Sequence, residues 1–287
     1  MNMSISLLLA LAAPAAGPPA AMEPVPSVGI VADPCATLPA MPAVIADYLV
    51  RAMAAVAAGA PLPPRSADGM ALYAKWQQDL LLADYPGLCR YRKENAGLPP
   101  ATSDRVVFVG DSITEGWLRE QPGFFAGDRI DRGISGQTTT QMLARFRADV
   151  VELQPRVVHI MAGTNDIAGN GGATSLDAIE DNIRAMIDLA AANHIRVVLG
   201  SVLPAARFDW RPGLDPVKPI ADLNARLRLL AAEKSLVYAD YFEALDDGRG
   251  GLSSAHAADG VHPTAAGYAV MQPITERALA EAARKGS

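Results

Sequence analysis

Long hydrophobic runs are missing from almost all of this chain. Beyond the N-terminus, no stretch approaches the roughly 18 apolar residues that a membrane span requires. Yet half of the 287 residues are apolar, enough for one sizeable core plus a small extension, and the mature chain is expected to be soluble. Positive charge is also scarce. The 25 Lys and Arg are outnumbered by 31 Asp and Glu, for a net charge of −6, so no basic face is wide enough to hold a polyanion and nucleic acid is excluded as a partner. Histidine is limited to four residues and cysteine to two. No Cys/His spacing fits a zinc site, and neither metal nor cofactor is expected. Gly110 to Gly116 lacks the Gly-Lys-Ser/Thr ending of a phosphate-binding loop. Internal repeats, heptads and charge blocks are missing as well, which sets aside solenoids and coiled coils.

The one concentrated apolar stretch is Ser6 to Ala13, followed by small residues up to Ala21. That pattern predicts a signal peptide over residues 1–21 and export to the periplasm or medium, although the segment ahead of it carries no Lys or Arg. Neither cysteine directly follows the apolar stretch, which argues against a lipid-anchored start. In an oxidising compartment Cys35 and Cys89 form an even pair that reads as one bridge; two separate core thiols are the alternative.

Residues 22–100 are rich in Ala and Pro and predict a helical extension. Ile45, Leu49, Met53 and Val56 share one helical face, and Leu72, Trp76 and Leu80 another. Each helix buries too little alone to offset its ordering entropy, so both are expected to dock on the main domain. Gly97-Leu-Pro-Pro100 marks the boundary with a domain at 101–287.

In that domain, β-branched runs at Arg105–Val109, Asp128–Asp131, Arg156–Met161, Ile195–Ser201 and Leu236–Asp240 alternate with helical patterns. Such alternation signals α/β architecture, with a parallel sheet of about five strands covered on both faces. Thr174 to Asp177 fits a capping box, with Ile179, Ile183, Met186 and Ala190 as the stripe behind it. Pro216 and Pro219 open a helix carrying Ile220, Leu223, Leu227 and Leu230, and Pro263 opens the last one.

The loops at the carboxyl ends of parallel strands converge on one edge, where ligands bind. Four polar clusters fall there: Gly110-Asp-Ser112, Gly133-Ile-Ser-Gly136-Gln-Thr-Thr, Gly163-Thr-Asn165-Asp166 and Asp259-Gly-Val-His262. Ser112, in a strand-to-helix turn, is a candidate nucleophile; an ordinary helix cap is the structural alternative. Its candidate base is His262, with Asp259 three residues upstream able to fix the imidazole tautomer. His159 lies inside an apolar strand and reads as a core residue. Gly136, through its backbone N–H, and Asn165, through its amide, are candidate donors to an oxyanion. Trp117 and Trp210 are candidate walls for a sugar or aryl group, with core packing as the alternative. Thr114, standing where a Gly-x-Ser-x-Gly elbow needs glycine, disfavours the α/β-hydrolase superfamily.

Taken jointly and in order, the four clusters resemble the SGNH branch of the GDSL lipase/esterase superfamily, over about Arg105 to the C-terminal helix. The chain departs from that pattern at Asp131, where relatives often carry Asn. The resemblance implies a flavodoxin-like three-layer α/β/α sandwich. It also implies Ser112, His262 and Asp259 as the triad, and an oxyanion hole from the Ser112 and Gly136 N–H groups and the Asn165 amide. The activity implied is hydrolysis of short-chain carboxylic esters, acetyl groups on carbohydrate in first place. Lysophospholipid or thioester hydrolysis, acyl transfer by the same serine, and a non-catalytic carbohydrate-binding module are the alternatives.

Overall fold

The β-branched runs become five parallel strands: β1 (Val106–Gly110), β2 (Arg129–Gly133), β3 (Val157–Met161), β4 (Arg196–Gly200) and β5 (Val237–Ala239). The computed structural model describes residues 29–284 except 58, 59, 62, 65 and 258. The expected signal peptide lies outside the described residues, as do the side chains of Met53 and Val56. The chain divides into two units, Met1–Leu38 and Pro39–Ser287. Of the first, the described part holds one turn of 3-10 helix, Pro34–Thr37, capped by Asp33. No described helix is long and apolar enough to cross a membrane.

Within the second unit the strand order is β2-β1-β3-β4-β5, the flavodoxin-like order. β1 is an inner strand, paired on both sides: Val106 pairs with Arg129 on one side and Val157 on the other. Alternation along β1 sends Val107 and Val109 to one face of the sheet, Val106 and Phe108 to the other. The first face is covered by α5 (Thr139–Asp149), α7 (Leu176–Ala192) and α8 (Val217–Glu233), whose Met142, Phe146, Ile183, Leu223 and Leu227 are buried there. The second is covered by α4 (Ser112–Glu120), α9 (Tyr241–Leu245) and α10 (Ala265–Arg284). This is the expected three-layer sandwich.

Local signals mostly hold, with small displacements. The stripe Ile179, Ile183, Met186 and Ala190 is buried, but the cap of α7 is Ser175, whose Oγ accepts from the Ala178 N–H at 3.1 Å. Thr174 is one residue too early because the Ser175 backbone already has the extended conformation a cap requires. Pro216 caps α8, and Ile220, Leu223, Leu227 and Leu230 are buried as expected.

The extension differs more. Its helices α1 (Ala43–Ala57) and α2 (Ala67–Ala83) meet each other, and Trp76 Nε1 donates to the Pro39 carbonyl at 3.0 Å. Ile45 is buried, yet no residue of α2 is, and Leu49 and Leu72 stay well exposed. Two short helices cover only a narrow stripe of one another. The firm attachment comes later, at Tyr85–Tyr91, just ahead of the short α3 (Arg92–Gly97). Gln141 Nε2 donates to the Tyr85 carbonyl, Gln137 Nε2 to that of Pro86, and the buried Tyr91 hydroxyl to that of Gly133.

Candidate active site

The turn after β1 is tight because its strand ends in a glycine. A Cβ on Gly110 would meet Thr114 Oγ1 at 2.0 Å and the Met161 carbonyl at 2.9 Å. Asp111 then caps α4, its Oδ1 accepting from the Ile113 N–H at 2.9 Å. Ser112 therefore occupies the first helical position, where free N–H groups and the helix dipole favour negative charge.

Asp259 to His262 form a second turn, with Gly260 at φ +77°. Asp259 Oδ1 accepts from the backbone N–H groups of Val261 and His262, while Oδ2 accepts from His262 Nδ1 at 2.7 Å. Burial pushes the Asp259 carboxyl up, but these hydrogen bonds outweigh it and hold the group below the usual carboxylate range. A carboxylate only accepts, so Nδ1 carries the ring proton and Nε2 presents a lone pair. That lone pair faces Ser112 Oγ at 2.9 Å.

The remaining clusters are tied to this pair. Gly163 has φ +124°, and a Cβ there would meet Leu223 Cδ2 at 2.7 Å; it turns the chain from β3 into α6 (Thr164–Ile167). Asn165, in α6, donates from Nδ2 to Asp111 Oδ2 at 3.2 Å and to the Gln137 carbonyl at 3.1 Å. Asp111, Gln137 and Asn165 are thus joined directly beside Ser112. Both amide hydrogens of Asn165 are engaged in the resting site, so an oxyanion would have to share or displace one of these bonds. The Gly136 and Ser112 N–H groups, by contrast, have no acceptor among the described residues.

The two tryptophans separate. Trp117 is fully buried in an aromatic cluster, stacked between Phe124 and Tyr268 with Phe108 at its edge. It packs the core and, contrary to the expectation of a substrate wall, offers no face to a ligand. The spacing of α4 directs that side chain onto the sheet, and Nε1 is satisfied by Gln121. Trp210 is 39% exposed, stacks on the buried Phe208, and its ring lies 6.3 Å from that of His262.

Several supporting residues have roles that the sequence pattern does not assign. Asp111 is completely buried, and desolvation raises its carboxyl to about 6 against the pull of the Ile113 N–H and His262. Asp166 accepts from the Thr139 N–H and hydroxyl, pinning the start of α5 to α6. Buried Arg145 donates to Gln137 Oε1, Asp149 Oδ2 and the Gly110 carbonyl, bracing both loops from below. Asn170 bonds both Asn165 and Trp210. Only Asp111 and Asp166 lie within the motif blocks. Nothing in the spacing of Arg145 or Asn170 sets them apart from surface residues. His159 is the expected core histidine: it is buried, bonds the Tyr241 hydroxyl at 2.8 Å, and has its pKa lowered to about 3 by desolvation.

A carboxylate, an imidazole and a serine in line, at the switch point of a parallel sheet, are the equipment of an acyl hydrolase. Residues 108–270 match the model of the GDSL-like Lipase/Acylhydrolase family. The chain belongs to this family. It is a carboxylic ester hydrolase. Among solved structures, a GDSL-like lipase from Bacteroides thetaiotaomicron VPI-5482 is 43% identical with a TM-score of 0.67, covering 69% of this chain and 99% of that one. An acetylxylan esterase of Geobacillus stearothermophilus is 26% identical over 203 residues, 59% of this chain and 91% of its own. Esterase TesA of Pseudomonas aeruginosa is 28% identical over 180 residues, 58% of this chain and 83% of its own.

Proposed function

We propose that this GDSL hydrolase works through an acyl-enzyme on Ser112, with His262 as general base and Asp259 orienting it. The observation that carries the reading is the continuous line from Ser112 Oγ to His262 Nε2 at 2.9 Å and from His262 Nδ1 to Asp259 Oδ2 at 2.7 Å. His262 takes the hydroxyl proton as Oγ attacks the ester carbonyl, then returns it to the leaving alcohol. Water repeats the sequence and releases the acid. The Ser112 and Gly136 N–H groups receive the oxyanion, with Asn165 Nδ2 as third donor once it loosens a resting bond.

The substrate class we favour is a short acyl ester, acetyl in first place, on carbohydrate. Half-exposed Trp210 beside His262 offers an aromatic face suited to a sugar ring, and similarity to an acetylxylan esterase points the same way. Membership of a lipase/acylhydrolase family and similarity to a GDSL-like lipase favour a second reading, a lipid ester, with thioester as its near alternative. Incubation with acetylated xylan and with lysophosphatidylcholine separates them: acetate released from the first, without fatty acid from the second, is the expected result. Transfer of acetyl to an added sugar would indicate an acyltransferase. Sugar binding without fluorophosphonate labelling of Ser112 would indicate a binding module. We further propose that the chain is exported, on the apolar stretch Ser6 to Ala13 and the small residues after it.

A further inference from the structure

Asn165 has an amide whose two ends have opposite effects on an oxyanion: the nitrogen stabilises it and the oxygen repels it. Which end faces the reaction is decided by a line of hydrogen bonds that starts at the substrate wall. Trp210 Nε1 donates to Asn170 Oδ1 at 3.2 Å, Asn170 Nδ2 donates to Asn165 Oδ1 at 2.6 Å, and Asn165 Nδ2 donates to Asp111 Oδ2 and the Gln137 carbonyl.

The two ends of this line make it directional. An indole N–H can only donate, while a carbonyl or an ionised carboxylate can only accept. Turning Asn170 over would set N–H against N–H at Trp210 and oxygen against oxygen at Asn165. Turning both amides would relieve the clash between them but keep N–H against N–H at Trp210 and set Asn165 Oδ1 against Asp111 and Gln137. A single orientation of both side chains satisfies every member. The backbone holds the spacing: the Asn170 N–H donates to the Asn165 carbonyl at 2.9 Å. Arg211, next to Trp210, donates from Nε to the Ala168 carbonyl at 2.8 Å. Trp210 is also the residue exposed toward the site, with its ring 6.3 Å from that of His262.

We propose that Asn170 and the indole N–H of Trp210 are positioning elements that hold the Asn165 amide nitrogen toward the reaction centre, coupling the substrate wall to the oxyanion donor. The proposal rests on the reading of Asn165 as a donor. Its chemistry predicts a split between kinetic parameters: the relay acts on the developing charge, so kcat falls while KM holds.

Four variants test it, with nitrophenyl acetate as substrate. Asn170→Asp is nearly isosteric and still accepts from Trp210, but has no hydrogen to give Asn165. Trp210→Phe keeps an aromatic ring, though a smaller one, and removes the N–H. Each is expected to lower kcat about 10-fold, a fraction of what removing an oxyanion donor outright costs, with KM within about 2-fold of the parent. Asn165→Ala is expected to lower kcat about 100-fold, and adding Asn170→Asp to it should change nothing more, because the relay acts only through Asn165. Parent kcat in Asn170→Asp or Trp210→Phe, or a further 10-fold loss in the double variant, overturns the relay. Parent kcat in Asn165→Ala instead overturns the donor reading itself, so the two failures are told apart. The side-chain amide resonances of Asn165 in labelled protein give a readout independent of turnover: they should shift in Trp210→Phe, and an unchanged position counts against the relay.

Discussion

Asp259 holds His262 by two different atoms, accepting from its ring Nδ1 through Oδ2 at 2.7 Å and from its backbone N–H through Oδ1 at 2.8 Å. Ring tautomer and turn conformation are therefore set by one carboxylate. Asp259→Asn is expected to keep the turn, since an amide oxygen can accept from the backbone. Its nitrogen would face Nδ1 and favour the wrong tautomer, lowering kcat on a nitrophenyl ester by about 10^3- to 10^4-fold. Circular dichroism identical to the parent, together with that loss, is the result to look for.

Ser112→Ala removes the attacking oxygen and leaves the Ser112 and Gly136 N–H groups in place. Hydrolysis should fall by at least about 10^4-fold, and labelling by a fluorophosphonate should vanish. Activity at the parent rate would refute the nucleophile assignment.

Trp117 and Trp210 should respond in opposite ways. Trp117→Ala empties a fully buried cluster and is expected to cost about 3–5 kcal/mol in urea unfolding. Trp210→Ala should leave stability within about 1 kcal/mol of the parent. It should also raise KM for an acetylated sugar about 2- to 10-fold through loss of the ring face. A Trp117→Ala protein of parent stability would contradict the core placement.

His159 makes stability depend on acid. Its pKa in the folded chain is lowered to about 3 by burial, against about 6.5 for an unfolded histidine. Between those values the unfolded chain binds the extra proton, so this contribution is full above pH 6.5 and is lost as pH falls toward 3. His159→Phe is expected to flatten the decline by up to about 1.4 kcal/mol per pH unit within that window. Urea midpoints of both proteins at pH 7, 5 and 4 check it; parallel declines would contradict it.

We propose that Cys35 and Cys89, the two cysteines of the chain, form one bridge in an oxidising compartment. Denatured, unreduced protein should therefore yield no titratable thiol, and reduction should release two. Two thiols before reduction would exclude the bridge.

Much of this protein is legible along the chain because its signals are local. A β-branched run ending in Gly110 is a strand entering a tight turn whatever surrounds it, and Asp259 three residues before His262 can close its own turn. The stripes of α7 and α8 follow from helical period alone. The pattern fails where two environments share one signal. Trp117 on an amphipathic helix and Trp210 in a loop both read as aromatic walls, and only packing separates core from site. Leu72, Trp76 and Leu80 have a helical period, but period cannot say how much partner surface awaits them.

The sequence by itself determined the fold class, the strand-end clusters and the candidate triad members, since these rest on residue type, on local spacing such as Asp259 to His262, and on the order of the clusters along the chain. Tertiary structure decided the hydrogen-bond polarity around Asn165, the bracing by Arg145 and the separation of the two tryptophans. Those depend on which donors and acceptors meet across elements far apart in the chain, and on burial, which makes an unmatched polar group costly enough to select one arrangement.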